Sequence, residues 1–512
     1  MPKKSTTSDS TKINEFLKSR VPAPPNAYRN IDRTNKIFVD KTYLTAQLAQ
    51  EKRLCLFNRP SGFGMSVPLQ CLENYFDRDK TFFKDLKGEA FLNAEEHKAP
   101  QQVVRLDFAY ITAEVPFADT GNEGKDFARE LTLYINNKCE QMDIYYDLDD
   151  LADYEKRRDD PWGLSDLFGL DDDDDGDDDI WGMLFGFSKV RYPKPATMLE
   201  VLIDELKPGT ALIIENFDSA LFECSGSAQA LKDILECLRE VLTEVEKRHK
   251  KGELGFTLIT GRMPWDFLLE TGSYADLSRD PKYARLLGFT AAEIKEYMGP
   301  ELKLAAARHF GKDSAQVTAD EIEELLELMA QHFGNYCFAP GISEGLYCPA
   351  DLFDYFKCGL FKDSAQGKNS GFDYSYSSDR SECYKLLGTK GLRFALARLG
   401  QLQGLGSREA VLLDVTGDSA KVQDPQNGID PRAILYASGY YSMPLNTPDG
   451  MVQYCLPNSY AADGLLQLIH DRYLPALNNK KDQRALLFQE IINCVQEGDV
   501  PQDKPDTPQS AD

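Results

Sequence analysis

Asn58–Leu69 reads NRPSGFGMSVPL. An apolar run, LCLF at 54–57, leads into it, and CLENYFDRDKTFF, with apolar residues at helical spacing, leads out from Cys71. A glycine-rich turn that leaves a strand and opens a helix has the outline of a phosphate cradle, because backbone N–H groups and the helix N-terminus both face an anion. Gly62 and Gly64 permit the tight turn, and Ser66 offers a hydroxyl. A complete triphosphate loop also carries a Lys for the β and γ phosphates and uses its Ser or Thr hydroxyl for Mg²⁺. Met65 stands where that Lys belongs.

The second chemical signal is ALIIENFDSALF, from Ala211. An apolar strand ending in acids is where a nucleotide hydrolase holds the Mg²⁺-linked carboxylate and the carboxylate that activates water. This strand ends Glu215, Asn216, Phe217, Asp218. Glu215 can attract Mg²⁺ through a water, whereas the amide of Asn216 cannot take a proton, so the general-base position is empty.

Around these two stretches the chain alternates short apolar runs with amphipathic ones. LCLF, VVRLDF (103–108), ALIIENF (211–217) and GFTLIT (255–260) read as buried strands. DFARELTLYINNKC (126–139) and SAQALKDILECLREVLTEVEKRHK (227–250) carry apolar residues three and four apart and read as helices. The alternation predicts an α/β fold with a largely parallel sheet. From about Thr290 the pattern turns helical, in TAAEIKEYM (290–298), TADEIEELLELMAQHF (318–333), LRFALARLGQL (392–402) and AADGLLQLIHDRYLPAL (461–477). The expected plan is a polar tail over 1–22, a sheet domain over 23–295, a helix-rich domain over 296–480, and a final helix with a disordered tail over 481–512.

One stretch interrupts that plan. Asp147–Asp179 contributes a net −13 to the chain's −25 and reads as a self-repelling, disordered insertion, bounded at about 147–185. Trp162, Leu164, Leu167, Phe168, Ile180, Trp181, Met183, Leu184 and Phe185 punctuate it, a pattern that suits capture of a protein partner. Asp171, Asp173, Asp175 and Gly176 imitate the opening of a calcium loop, but Gly182 takes the place of the closing glutamate. The overall acidity, with pI near 4.7, argues against a broad nucleic-acid surface or attraction to anionic lipid. No apolar run approaches the roughly 20 residues of a membrane span and no signal-peptide core follows the first residues, so a cytoplasmic protein is expected. Eleven cysteines without a CxxC pair predict reduced, buried thiols rather than a zinc site. The five histidines fall in no catalytic pattern.

Order and spacing add a resemblance. FVDKTYL (38–44), LFNRPSGFGMSV (56–67), LIIENFD (212–218), TLITG (257–261) and LLGFTAAEI (286–294) follow one another as xVDKTxx, LFxRPRRFGKTL, LIDEYD, LTG and GFT do in a bacterial AAA-ATPase-like family often fused to a PD-(D/E)XK nuclease domain. FGNYCFAP…LYCPADLFDYF (333–356) and LYASGYYSM (435–443) are similar to later segments of that family, which extends the resemblance over roughly 24–475. It implies a three-layer, AAA-like P-loop NTPase domain with a mostly parallel sheet, followed by the helix-rich C-terminal domain. It also implies ATP and Mg²⁺ as cofactors, with nucleotide contacts from Arg59, Pro60, Ser61, Gly62, Phe63, Gly64, Met65 and Ser66, and Mg²⁺ beside Ser66, Glu215 and Asp218.

In the family's terms Met65 replaces the loop Lys, Glu215 the Mg²⁺-associated Asp, and Asn216 the catalytic Glu, while Arg59, Pro60, Phe63, Gly64, Ser66 and Asp218 match. A missing base costs about 10²–10⁴ in rate. The implied function is a catalytically degenerate P-loop protein, a pseudo-ATPase serving as a nucleotide-binding or regulatory module. Two alternatives stay open: an active ATPase with a substitute cation such as Arg262, and a protein-interaction module that binds no nucleotide. No ExK-type strand follows the last matched segments, so no nuclease domain is expected. Arg285 is a candidate for reaching a neighbouring copy in an oligomer, with a helix-surface charge as the plainer reading. Asp40, Lys41 and Thr42 match the family without an evident chemistry, and turn structure explains them equally well.

Overall fold

The protein is described from a computed structural model. The structure describes residues 36–95, 101–114, 123–159, 192–223, 228–358 (apart from 264, 266, 267, 270 and 271), 429–448 and 452–473, with shorter pieces at 16, 19–20, 98, 383, 386–387, 391–395 and 413–415.

Five strands form one parallel sheet: β1 (Leu54–Asn58), β2 (Val103–Asp107), β3 (Thr210–Glu215), β4 (Leu254–Gly261) and β5 (Tyr274–Asp276), in the order β2-β3-β4-β1-β5. Every residue of β1 and β3 is buried, because helices cover both faces of a parallel sheet and leave no polar side. β2 is different. It lies at the edge, with Val104 and Leu106 buried and Val103, Arg105 and Asp107 half-buried, so its alternating pattern belongs to a strand with one wetter face. The short β5, reading YAD, was not among the strands expected, since three residues cannot show a period. β4 pairs with β1 on one side and β3 on the other, which sets the loop strand and the acidic strand two spacings apart, roughly 10 Å.

Helix α1 (Thr42–Leu48) precedes β1, and α2 (Ser66–Phe76) follows the loop. Helices α3 (Glu123–Glu140), α4 (Leu148–Asp159), α5 (Pro195–Asp204) and α6 (Ala228–Lys250) follow, and α3, α5 and α6 pack against one another. Helix α4 corrects the expectation of disorder from residue 147 onward. Asp149 and Asp150 sit in its first turn, and Lys156, Arg157 and Arg158 in its last, so the charges oppose the helix dipole favourably. Buried Glu155 also accepts the Lys194 N–H at 2.8 Å and ties α4 to the start of α5. The Asp-rich run, its flanking aromatic residues and the calcium-like spacing lie outside the described residues.

The helix-rich part begins with α7 (Ala291–Tyr297), α8 (Gly299–Phe310) and α9 (Ala319–Phe333), of which α7 and α9 open with capping boxes, Thr290 with Glu293 and Thr318 with Glu321. Helices α10 (Pro349–Cys358), α11 (Pro431–Ala437) and α12 (Ser459–Leu468) and a small antiparallel pair, β6 (Leu413–Val415) with β7 (Val452–Tyr454), complete it. Its own core joins Met298, Leu302, Met329, Phe333, Leu352 and Phe356. The sheet's core does not stop near residue 295, however: Tyr336, Phe338, Leu346, Tyr436 and Leu465 belong to the same apolar cluster as β1 and β3. Among the described residues no helix is long and apolar enough to cross a membrane.

Candidate nucleotide site

The loop between β1 and α2 has the backbone its glycines foretell. Gly62 and Gly64 take φ of 87° and 88°, a conformation other residues adopt only at a cost. The carbonyls at the crown are tied down: Gly62 O accepts from Ala350 N–H at 3.2 Å and from the Cys348 thiol at 3.6 Å, and Phe63 O accepts from Gly288 N–H at 3.3 Å. The Phe63 ring is buried edge-on between Tyr336 and Phe338, at 4.9 and 5.0 Å. Among the described residues the backbone N–H groups of Ser61, Gly62, Phe63, Gly64, Met65 and Ser66 have no protein acceptor. Carbonyls already engaged and N–H groups left unspent suit an anion cradle. Pro60 through Ser66 all line one cleft. Met65 lines it too and packs against the edge of the core, bringing no charge.

Arg59 lines the cleft at the base of the loop, yet its guanidinium is turned inward. It is 3% exposed and lies between the Phe57 and Phe338 rings, 4.6 Å from each. Its Nη1 donates to the carbonyls of Asn58, at 2.9 Å, and Ser278. Burial pushes its pKa down to about 10, which leaves it cationic at neutral pH. In this conformation its bonded nitrogen serves backbone carbonyls.

The acid end of β3 is occupied by other partners. Glu215 receives Arg105 Nε at 2.9 Å together with Arg105 Nη2, and Arg105 also faces Glu73 at 3.5 Å. Burial raises the pKa of Glu215, and the Arg105 charge opposes that rise. Asn216 sits at φ 54°, in the left-handed region that Asn tolerates and Glu resists, and its Nδ2 donates to Asp107 Oδ1 at 2.8 Å. Asp107 is the residue that the sequence reading missed. It ends β2 as the register partner of Glu215, lines the cleft, and also accepts the Ala109 N–H at 3.0 Å. Its sign in the sequence was an acid closing VVRLDF as Glu215 closes its strand; without the strand order nothing said the two ends were neighbours.

Asp218 does not fit the Mg²⁺-associated role expected for it. It is fully buried, and its carboxylate accepts the N–H groups of Arg262 (2.9 Å), Met263 (2.9 Å) and the Trp265 indole (3.2 Å), clamping the segment after β4. Burial raises its pKa and these donors counter the rise. Gly261, the glycine of TLITG, serves the same clamp: a Cβ there would lie 2.6 Å from the Phe217 ring and 2.7 Å from Asp218 Oδ1. Arg262 lines the cleft with its guanidinium 5.0 Å over the Phe222 ring.

The DKT stretch gains a structural account. Asp40 Oδ1 accepts from Thr42 N–H (3.0 Å) and Oγ1 (2.6 Å), its Oδ2 accepts from Lys87 N–H (2.7 Å), and Thr42 Oγ1 accepts from Gly88 N–H (2.9 Å). Lys41 Nζ donates to Arg285 O (2.5 Å) and Gly288 O (2.7 Å) and pairs with Glu293 at 3.1 Å. All three ammonium protons are engaged. Arg285 pairs with Glu344 of its own chain at 3.2 Å. His249 bridges Thr257 and Lys52, and His332 meets Ser459, as packing histidines do.

Residues 24–266 match the family model described as predicted AAA-ATPase, AAA-ATPase-like. Over this span the chain is similar to the AAA-ATPase-like family. The match covers β1, the loop, β3 and β4, the elements that build the cleft. No curated protein is matched.

Proposed function

We propose that this AAA-ATPase-like chain binds a nucleotide with its phosphates in the Ser61–Ser66 cradle and does not turn it over, acting as a regulatory or interaction module. The observation that carries this reading is the row of unspent N–H groups leading into α2, beside carbonyls of the same loop that are already bonded. At the end of β3, where a base is expected, Asn216 is an amide that donates and Glu215 is held by Arg105, while the neighbouring Asp107 is engaged through Oδ1 by Asn216 and the Ala109 N–H. Ser66 is the hydroxyl available to a nucleotide-bound Mg²⁺, and Glu215 lines the same cleft whereas Asp218 is buried. In this scheme the acidic stretch 147–185 is the surface that meets a protein partner.

The test is calorimetric titration of Mg²⁺ and ATP into wild type and Met65→Lys, with phosphate release measured on both. Binding by wild type without release, and affinity about tenfold higher in Met65→Lys, is the expected pattern, since one added charge pair in a partly dry site is worth about 1.4 kcal/mol or more. Absence of binding in both proteins refutes the nucleotide reading. Steady release by wild type refutes the loss of hydrolysis, and Arg262→Ala then tests whether Arg262 is the substitute cation.

A further inference from the structure

Arg59 carries a charge that no residue around it neutralises. Both partners of its Nη1 are uncharged carbonyls. Its Nε and Nη2, the edge that would grip a carboxylate, have no acceptor, and the neighbouring Asn58 amide is equally unmatched. Among the described residues Arg59 forms no ion pair; Asp276 is the acid whose field reaches it, across a gap without a bond. A hydrophobic side chain of this size between two aromatic rings would be the cheaper choice for stability. The chain nevertheless keeps a cation there, one residue before the cradle and in the wall of the same cleft.

We propose that Arg59 supplies through its electric field the positive charge that Met65 withholds, so that the cradle selects a phosphate group without a cation at position 65. The inference rests on the nucleotide-binding reading above. A charge in poorly polarisable surroundings acts over several ångströms, because neither solvent nor a counter-ion screens it. Preorganised backbone dipoles then hold the oxyanion in place while the buried guanidinium sets the potential. Arg59 is thus a specificity-determining residue, not a ligand. Lys41 cannot take this part, because its charge is spent on Glu293 and two carbonyls.

The experiment titrates Mg²⁺–ATP, and separately inorganic phosphate, into the full-length wild type, Arg59→Met, Arg59→Gln, Arg59→Lys, and the double variant Arg59→Met with Met65→Lys, with thermal unfolding recorded on each. Arg59→Met keeps the packing between the rings, and Arg59→Gln keeps a donor for the carbonyls, so at least one neutral variant stays folded. Both neutral variants should bind about tenfold more weakly or worse, the size of a charge interaction over roughly 10 Å at an effective dielectric near 20. Arg59→Lys should stay within about threefold of wild type, and Met65→Lys should restore the affinity that Arg59→Met loses. Wild-type affinity in a folded neutral variant overturns the proposal and leaves nucleotide binding standing. Absence of binding in wild type and Met65→Lys overturns the nucleotide reading and this inference with it.

Discussion

Two buried cations flank the loop, and they are buried in opposite ways. Lys41 is 8% exposed and spends each proton on a partner: Glu293, Arg285 O and Gly288 O. Arg59 is 3% exposed and meets only carbonyls and ring faces, with two nitrogens unmatched. A fully partnered buried charge reports on architecture, because the partners would be orphaned by its loss. A charge without a counter-ion reports on something outside the folded chain. The comparison assigns Lys41 to the fold and leaves Arg59 for the ligand role proposed above.

The largest effect separates the two directly. Lys41→Met should lower stability by about 3 kcal/mol, since Glu293 and two carbonyls at the α7 entrance lose their donor. Arg59→Met should cost less, about 1–2 kcal/mol, because two carbonyls lose a donor but no carboxylate is left unpaired and an uncompensated buried charge is removed. Urea unfolding midpoints of the two variants measure the difference, and equal losses would end the distinction.

Buried acids allow the same contrast. Asp218→Asn turns an amide toward the N–H groups of Arg262, Met263 and Trp265, so a donor faces donors, and a loss of about 2 kcal/mol is expected. The Mg²⁺ dependence of nucleotide binding should not move. A changed Mg²⁺ dependence with intact stability would restore Asp218 to the site.

Gly288 links Lys41 to the loop, accepting from Lys41 and donating to Phe63 O. At φ 78°, with Leu346 Cβ 3.1 Å from any added Cβ, Gly288→Ala should cost about 1.5 kcal/mol and loosen the loop. Unfolding midpoints check the first part, and the ATP dissociation constant, expected to rise, the second.

What the sequence showed of all this follows from the range of each interaction. The buried strands and long helices were legible because continuous burial and helical periodicity are local: Leu54–Asn58, Thr210–Glu215 and Ala319–Phe333 appear where apolar pattern and caps placed them. The glycine turn was legible too, since only glycine makes positive φ inexpensive at 62 and 64. Leu148–Asp159 was misread because net charge hid its ordering by sign along the helix, and because the Glu155 bond to Lys194 spans a long loop. The surroundings of Asp107 and Asp218 were hidden for one reason. Whether a strand-end acid faces a cleft or a backbone clamp depends on which strands lie beside it, and the order β2-β3-β4-β1-β5 is not written in any single stretch. The inward turn of Arg59 likewise needs Phe338, which is remote in sequence and adjacent only after folding.

The smallest effect is expected at Arg285. Its carbonyl holds Lys41, but its guanidinium is 48% exposed and meets Glu344, itself 36% exposed. Such pairs are screened by solvent and cost side-chain freedom to hold, so Arg285→Ala should change stability by about 0.5 kcal/mol or less. The backbone bond to Lys41 survives that substitution, which isolates the side chain from the architecture around it. Dissociation constants for ATP should match wild type at every protein concentration. An affinity that falls in Arg285→Ala only where the protein is concentrated enough to self-associate would mean that this arginine leaves Glu344 to reach a neighbouring copy's cleft. The cation brought to the phosphates would then come from outside the chain, and Arg59 would no longer be needed to explain a cradle without a lysine.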